Sequence, residues 1–92
     1  MRARRRQVVD EYVEDGRAAV YSEDGVVVLL SELATTAWGR LDEEWRPATQ
    51  IATELVGEFG EPPGGDAVSM TEAALRSLAE QHLVDLDEES PA

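Results

Sequence analysis

The chain has no cysteine and no lysine, one histidine and one phenylalanine. Without cysteine there is no disulfide and no thiolate metal site. Packing alone must therefore hold 92 residues together. A single domain of this size buries only ~60–65% of its unfolded surface, so its core has little margin. Missing cysteine and a lone imidazole, His82, also exclude Cys-His and Ser-His-Asp nucleophile systems unless His82 serves alone. His82 stands at the expected end of a helix, where the dipole favours it, which is a structural place rather than a catalytic one. The chain is expected to be no enzyme and to need no cofactor and no metal.

Long apolar runs are missing too. The longest, Val26 to Leu30, is strand-sized and far short of the ~20 residues that span a bilayer. The basic start runs straight into Asp10, Glu11, Glu14 and Asp15, not into a signal-like apolar region. A cytoplasmic protein is expected. Positive charge is scarce as well. There are 20 acids against 8 arginines, a formal net charge of −12 at pH 7. Four arginines (2, 4, 5 and 6) lie in the first six residues, so the other 86 carry 20 acids and 4 arginines, a balance of −16. Such a body repels phosphate backbones and anionic lipid, so neither nucleic acid nor membrane is an expected partner. Residues 1–6 are expected as a flexible, solvated arm, with a basic arm for a partner as the competing role.

What is present is a change of period. Residues 7–13, 17–22 and 26–30 are rich in β-branched and aromatic side chains. The pairs Asp15-Gly16 and Asp24-Gly25 separate them, and glycine supplies the positive φ that tight hairpins need. Three antiparallel strands in a meander are expected. Ser31 is then a good N-cap, and Leu33, Ala34, Ala37, Trp38 and Leu41 recur at helical steps. Pro47 suits the first position of a second helix, striped by Ile51, Ala52, Leu55 and Phe59. Residues 60–65, Gly-Glu-Pro-Pro-Gly-Gly, break it. Ser69-Met70-Thr71-Glu72 fits a capping box for a third helix, with Val68 as staple and Ala74, Leu75 and Leu78 as stripe. Residues 83–86 form a short closing strand or a loose end, and 87–92 an acidic tail.

The acidic strings 42–44 and 87–89 are runs, not the spaced oxygen ligands of a calcium loop. Gly64-Gly65-Asp66 lacks the lysine of a phosphate loop. Ser69 invites comparison with the carrier serine of an acyl carrier protein, but the valine-rich first third does not suit an all-helical carrier, and N-capping explains Ser69 better. Trp38 lies on the first helix's apolar stripe and is expected in the core. Trp45 either covers the joint between helices or stands half exposed.

The strings Asp24-Gly25-Val26-Val27-Val28-Leu29-Leu30-Ser31, Ala37-Trp38-Gly39-Arg40-Leu41, Ile51-Ala52-Thr53-Glu54-Leu55 and Leu75-Arg76-Ser77-Leu78-Ala79-Glu80-Gln81-His82-Leu83-Val84 resemble the PqqD family in order and spacing, over roughly residues 17–86. Ser31, Ala37, Pro47 and His82 stand where that family usually has Asn, Ile, Thr and Gly. The resemblance implies an α+β winged helix-turn-helix over residues 7–86, a three-stranded antiparallel sheet followed by three helices. It also implies that the domain binds the leader of a ribosomally made precursor peptide and presents it to a tailoring enzyme such as a radical-SAM protein, a cyclase or a peptidase. The leader would lie as an added strand beside the third strand and against the third helix. An extended peptide can satisfy the free N–H and C=O groups of an edge strand. The expected binding residues are therefore Val26, Val27, Val28, Leu29 and Leu30 on one wall and Ala73, Arg76, Ser77 and Glu80 on the other. Arg76 would pair with an acidic leader residue, or else merely offset Glu72 and Glu80. Two competing readings are a DNA-binding winged helix, weakened by Glu72 and Glu80 on the third helix, and a structural subunit with no peptide ligand.

Overall fold

The computed structural model of the chain describes residues 1–88. In chain order its elements are β1 (Arg2–Arg5), β2 (Val8–Glu14), β3 (Arg17–Ser22), β4 (Val27–Leu29), α1 (Glu32–Gly39), β5 (Arg46–Pro47), α2 (Ala48–Phe59), α3 (Ala67–Glu80) and β6 (Val84–Asp87). The strands form two antiparallel three-stranded sheets, in the orders β5-β1-β6 and β2-β3-β4. The α+β class holds, but the order differs from the expected sheet followed by helices. Strands before, between and after those elements build a second sheet.

The expected meander is β2-β3-β4. At its first turn Asp15 (φ 54°) and Gly16 (φ 77°) are both left-handed, as a two-residue hairpin with the strands' own twist requires. At the second, Ser22 N–H donates to Val26 O (2.9 Å) and Gly25 N–H to Ser22 O (3.0 Å), with Gly25 at φ 81°. Side chains alternate. Ala18, Val20, Ser22, Val28 and Leu30 are buried, while Tyr12, Tyr21, Val27 and Leu29 are exposed. The inner row packs against α1, and the Ala18 N–H donates to Thr35 Oγ1 (2.9 Å).

Ser31 caps α1 as its sequence context suggests, its Oγ accepting from Ala34 N–H at 3.1 Å. Pro47 is the N-cap of α2 rather than its first helical residue, because it also serves in β5. The third helix begins earlier than its capping-box signature. Asp66 is the N-cap, with Oδ1 accepting from Val68 N–H (3.0 Å) and Oδ2 from Ser69 Oγ (3.1 Å). A carboxylate is a better acceptor for the positive helix end than a hydroxyl, so Ser69 falls inside the helix. Thr71, Leu75 and Leu78 form the buried stripe of α3.

The end of α3 is a Schellman motif. Leu83 N–H donates to Leu78 O and His82 N–H to Ala79 O, both at 3.0 Å. His82 occupies the left-handed position at φ 63°, which costs an L-residue ~1–2 kcal/mol and glycine little. Leu78 and Leu83 are both buried, as the hydrophobic part of the motif requires.

The N-terminus corrects the expectation of a flexible arm. Residues 2–5 are the central strand of the sheet β5-β1-β6. Ala3 is 0% exposed and Trp38 2%. The Arg5 guanidinium lies 3.6 Å from the Trp38 ring centroid, and its Nε donates to Trp38 O (3.3 Å). Trp38 Nε1 donates to Leu83 O (3.3 Å). On the other face, Arg2 and Arg4 stack over half-buried Trp45 at 5.5 and 4.5 Å. These two arginines also meet their register partners in β6, Arg2 with Asp87 and Arg4 with Asp85. Of the two fates open to residues 83–86, the strand is therefore the one adopted, from Val84 on. Asp87, expected in the acidic tail, belongs to β6, and Glu88 pairs with Arg76. Residues 89–92 lie outside the described residues. Among the described residues no helix is long and apolar enough to cross a membrane.

Two stability measurements test this description. His82→Gly should raise the unfolding free energy by about 0.5–1 kcal/mol in denaturant melts, by relieving the left-handed residue. A loss of stability would show that the imidazole contributes more than its backbone strain costs. Ala3→Asp should destabilise by ~3 kcal/mol or more, since it buries an unpaired charge. A frayed terminus would tolerate it without change.

Candidate functional site

The open edge of β4 is the most exposed apolar feature of the fold. Leu30 N–H donates to Ala18 O (2.8 Å), Ser22 N–H donates to Val26 O, and Val28 stands opposite Val20. Positions 26, 28 and 30 thus turn their backbone groups toward β3. In an antiparallel ladder the intervening positions turn theirs the other way, so Val27 and Leu29 present N–H and C=O to the open side. Among the described residues no strand pairs there. Of the five residues expected as one wall, Val28 and Leu30 are core, while Val26, Val27 (58%) and Leu29 (77%) are exposed.

The register sets the outer face into two rows, Tyr12–Ala19–Leu29 and Asp10–Tyr21–Val27. Ala19 is small between two large neighbours. A shallow depression of about 260 Å³ lies over it, lined by Tyr12, Glu14, Arg17, Ala19 and Leu29 among others.

The opposite edge of this sheet, β2, is built differently. It carries an irregularity between Val8 and Asp10 and the charges Asp10, Glu11 and Glu14. Bulges and charges are the usual guards against unwanted strand pairing. β4 has neither; only its length of three residues limits it.

The second expected wall is less closely joined to β4. Ala73, Arg76, Ser77 and Glu80 are all exposed, on the side of α3 turned away from Thr71, Leu75 and Leu78. α3 packs principally on α1, α2 and β6, and β4 on β3. Arg76 Nε is held by Glu88 Oε1 at 2.8 Å, a partner other than the Glu72 and Glu80 expected from sequence. The C-terminal end of α3 is the end that nears the β3–β4 turn, with His82 Nδ1 3.8 Å from Asp24 Oδ2. Ser77 and Glu80 stand in that last turn, and Ala73 stands a turn farther away.

By sequence, residues 60–65 are only a breaker. In the fold this loop helps to enclose a second apolar cavity of about 250 Å³, with Leu33, Leu55, Phe59, Pro62 and Met70 in its walls. The spacing Leu55–Phe59 and the exposure of Phe59 and Met70 are its local signals.

No group of three or more His, Cys, Asp or Glu is placed to hold a metal ion among the described residues. The clearest electrostatic perturbation lies away from β4. Asp42 accepts from the Arg46 guanidinium and from Glu44 N–H, and these bonds hold its carboxyl below the usual aspartate value. The same contact holds Arg46 above its own. A depressed carboxylate pKa stabilises the fold above the unfolded value of ~3.9, and that contribution is lost as pH falls through the lower folded value. In a carboxyl NMR titration Asp42 should therefore titrate below its position in an Arg46→Gln variant. Equal midpoints would show that the pair is not formed in solution.

Comparison of the chain with protein-family models, with curated proteins and with solved structures finds no match to any of them.

Proposed function

We propose that this chain is a non-enzymatic, PqqD-like winged helix-turn-helix domain. In this role it holds the leader of a ribosomally made precursor peptide as a strand added to β4 and presents that peptide to a tailoring enzyme. The observation that carries the proposal is the unguarded edge of β4 beside a guarded β2. Backbone pairing with Val27 and Leu29 gives affinity with little sequence demand, and the outer rows with the depression over Ala19 give selectivity. In this scheme the β2–β3 hairpin is the wing, and α2 and α3 with their Gly-Pro loop are the helix-turn-helix. No cofactor is required. The setting is the cytoplasm, where the precursor is made, and the collaborating enzyme is of the radical-SAM, cyclase or peptidase kind.

The DNA-binding alternative has less to support it. A recognition helix needs donors toward the groove and cations toward phosphate. The exposed face of α3 offers Arg76, already paired with Glu88, beside Glu80, on a chain of net charge −12.

Short peptides encoded beside the gene of this chain, fluorescently labelled, provide the test. Leu29→Ser should leave folding within ~0.5 kcal/mol, as an exposed position allows. It should weaken leader binding about tenfold or more if Leu29 is covered by the peptide. Chemical-shift changes should centre on residues 27–29. Unchanged affinity in the folded variant, or shifts confined elsewhere, would remove β4 from the site. Failure of every such peptide to bind would favour a structural subunit.

A further inference from the structure

The β4 edge has a strongly biased electrical setting, and this bears on what can lie along it. Residues 8–32 contain seven acids and one base, Arg17. At the Leu29 end of β4 lie Glu14, which faces Arg17 across the hairpin, and Glu32, whose side chain lies against Gly16. Asp15 is the residue before that glycine. At the Val27 end lie Asp10 in the same cross-strand row and Glu23 and Asp24 in the adjoining turn. The cations facing that end are few. Arg4, Arg5 and Arg6 share an open cavity with Glu23, Glu43 and Asp85, and Arg4 is bonded to Asp85 at 3.1 Å. Arg5 is also 3.9 Å from Glu11 and stacked on Trp38, and Arg6 is 3.9 Å from Asp85. His82 is 3.8 Å from Asp24. Both ends of the open strand are thus net negative, while its middle is apolar.

We propose that the segment added to β4 is cationic: an extended peptide with apolar residues at alternate positions, bracketed by Lys or Arg. This deepens the proposed function and rests on it. The apolar side chains would lie beside Val27 and Leu29, and the flanking cations toward Glu23 and Asp24 at one end and Glu32 at the other, while Asp10 and Glu14 on β2 add only to the surrounding field. A second copy of this chain is the competing occupant, since two β4 edges could pair. It is disfavoured because each copy brings a net charge of −12 and antiparallel pairing sets the acids at one end of the strand against those at the other end of its copy. An acidic peptide is disfavoured for the same reason.

The experiment is selection of short random peptides by display against the full chain at low salt, with selected sequences resynthesised and titrated. Three proteins are compared: the wild type, the charge-neutralised Glu23→Gln/Asp24→Asn/Glu32→Gln variant, and the charge-matched Val27→Ser/Leu29→Ser variant. Peptides with more Lys and Arg than Asp and Glu, around alternating apolar residues, should be recovered. Their affinity should fall roughly tenfold on the neutralised variant, the combined worth of three exposed pairs, and should fall on the serine variant as well. Added salt should erase the first difference, because exposed charges are screened. Neutral or acidic peptides that lose binding on the serine variant would overturn the cationic inference and leave the β4 site standing. Cationic peptides indifferent to the serine variant would overturn the β4 site itself, since general attraction to an acidic protein would then explain them. A concentration-dependent dimer abolished by the serine variant would assign the edge to a second copy instead.

Discussion

The pairing of β1 with β6 is the constraint on which the remaining structure depends. It joins residues up to 85 positions apart, and closing a loop of that length costs ~4 kcal/mol or more. The return comes from several contacts made at once. Ala3 enters the core, Arg5 covers Trp38, and Arg2 and Arg4 find Asp87 and Asp85 while stacking on Trp45. Each exposed ion pair alone would be worth ~1 kcal/mol at most. The buried alanine between the arginines lets the strand lie close enough for all of them to form. Trp38 passes the constraint on through its bond to Leu83 O. Leu83 is the residue that closes the Schellman motif of α3. The backbone strain at His82 is tolerated because both sides of that residue are fixed.

The two sheets consequently do different things. The sheet β5-β1-β6 fastens the chain ends and the entry to α2, and its central strand is occupied on both edges. The sheet β2-β3-β4 is fixed on one face only, by its inner row and the Thr35–Ala18 bond. Its outer face and its β4 edge make no demand on the core. Substitutions at Val27 or Leu29 can therefore test the proposed recognition without touching the packing that keeps so small a domain folded, a separation that a site inside the core could not have.

Legibility in the sequence followed the range of the interaction. The Asp-Gly turns, the Ser31 cap and the stripe through Leu75 and Leu78 are set by neighbours within a few residues, and each is found where its local signature stands. The Ser69 capping box does not set the start of α3, because the Asp66 carboxylate three residues earlier is the stronger acceptor. β1 and β5 escaped because nothing near them reveals a partner at the far end of the chain. A signal is present nonetheless: Arg-Ala-Arg at residues 2–4 and Asp-Leu-Asp at residues 85–87 share a period of two with complementary charge and an apolar centre, as expected of two strands paired side by side. The candidate site is legible in part. The apolar run 26–30 contains a strand, shorter than expected at Val27–Leu29, but which of its edges stays open depends on sheet order, which no window of sequence contains. The placement of Arg76 beside Glu88 likewise depends on where β6 ends.

The acidity of the chain is best understood together with that open edge. An unguarded apolar strand invites copies of the same protein to pair through it. β2 is protected locally, by an irregular register and its own carboxylates. On the proposed function β4 could not be protected in that way and still accept a peptide, because a charge or a bulge within three residues would also exclude the ligand. Placing the charge around the strand resolves the conflict. A net charge of −12 keeps identical molecules apart through long-range repulsion, while the strand itself remains apolar and regular. The same field favours an approaching chain of opposite sign, so protection against self-association and preference for a cationic partner arise from one distribution of carboxylates.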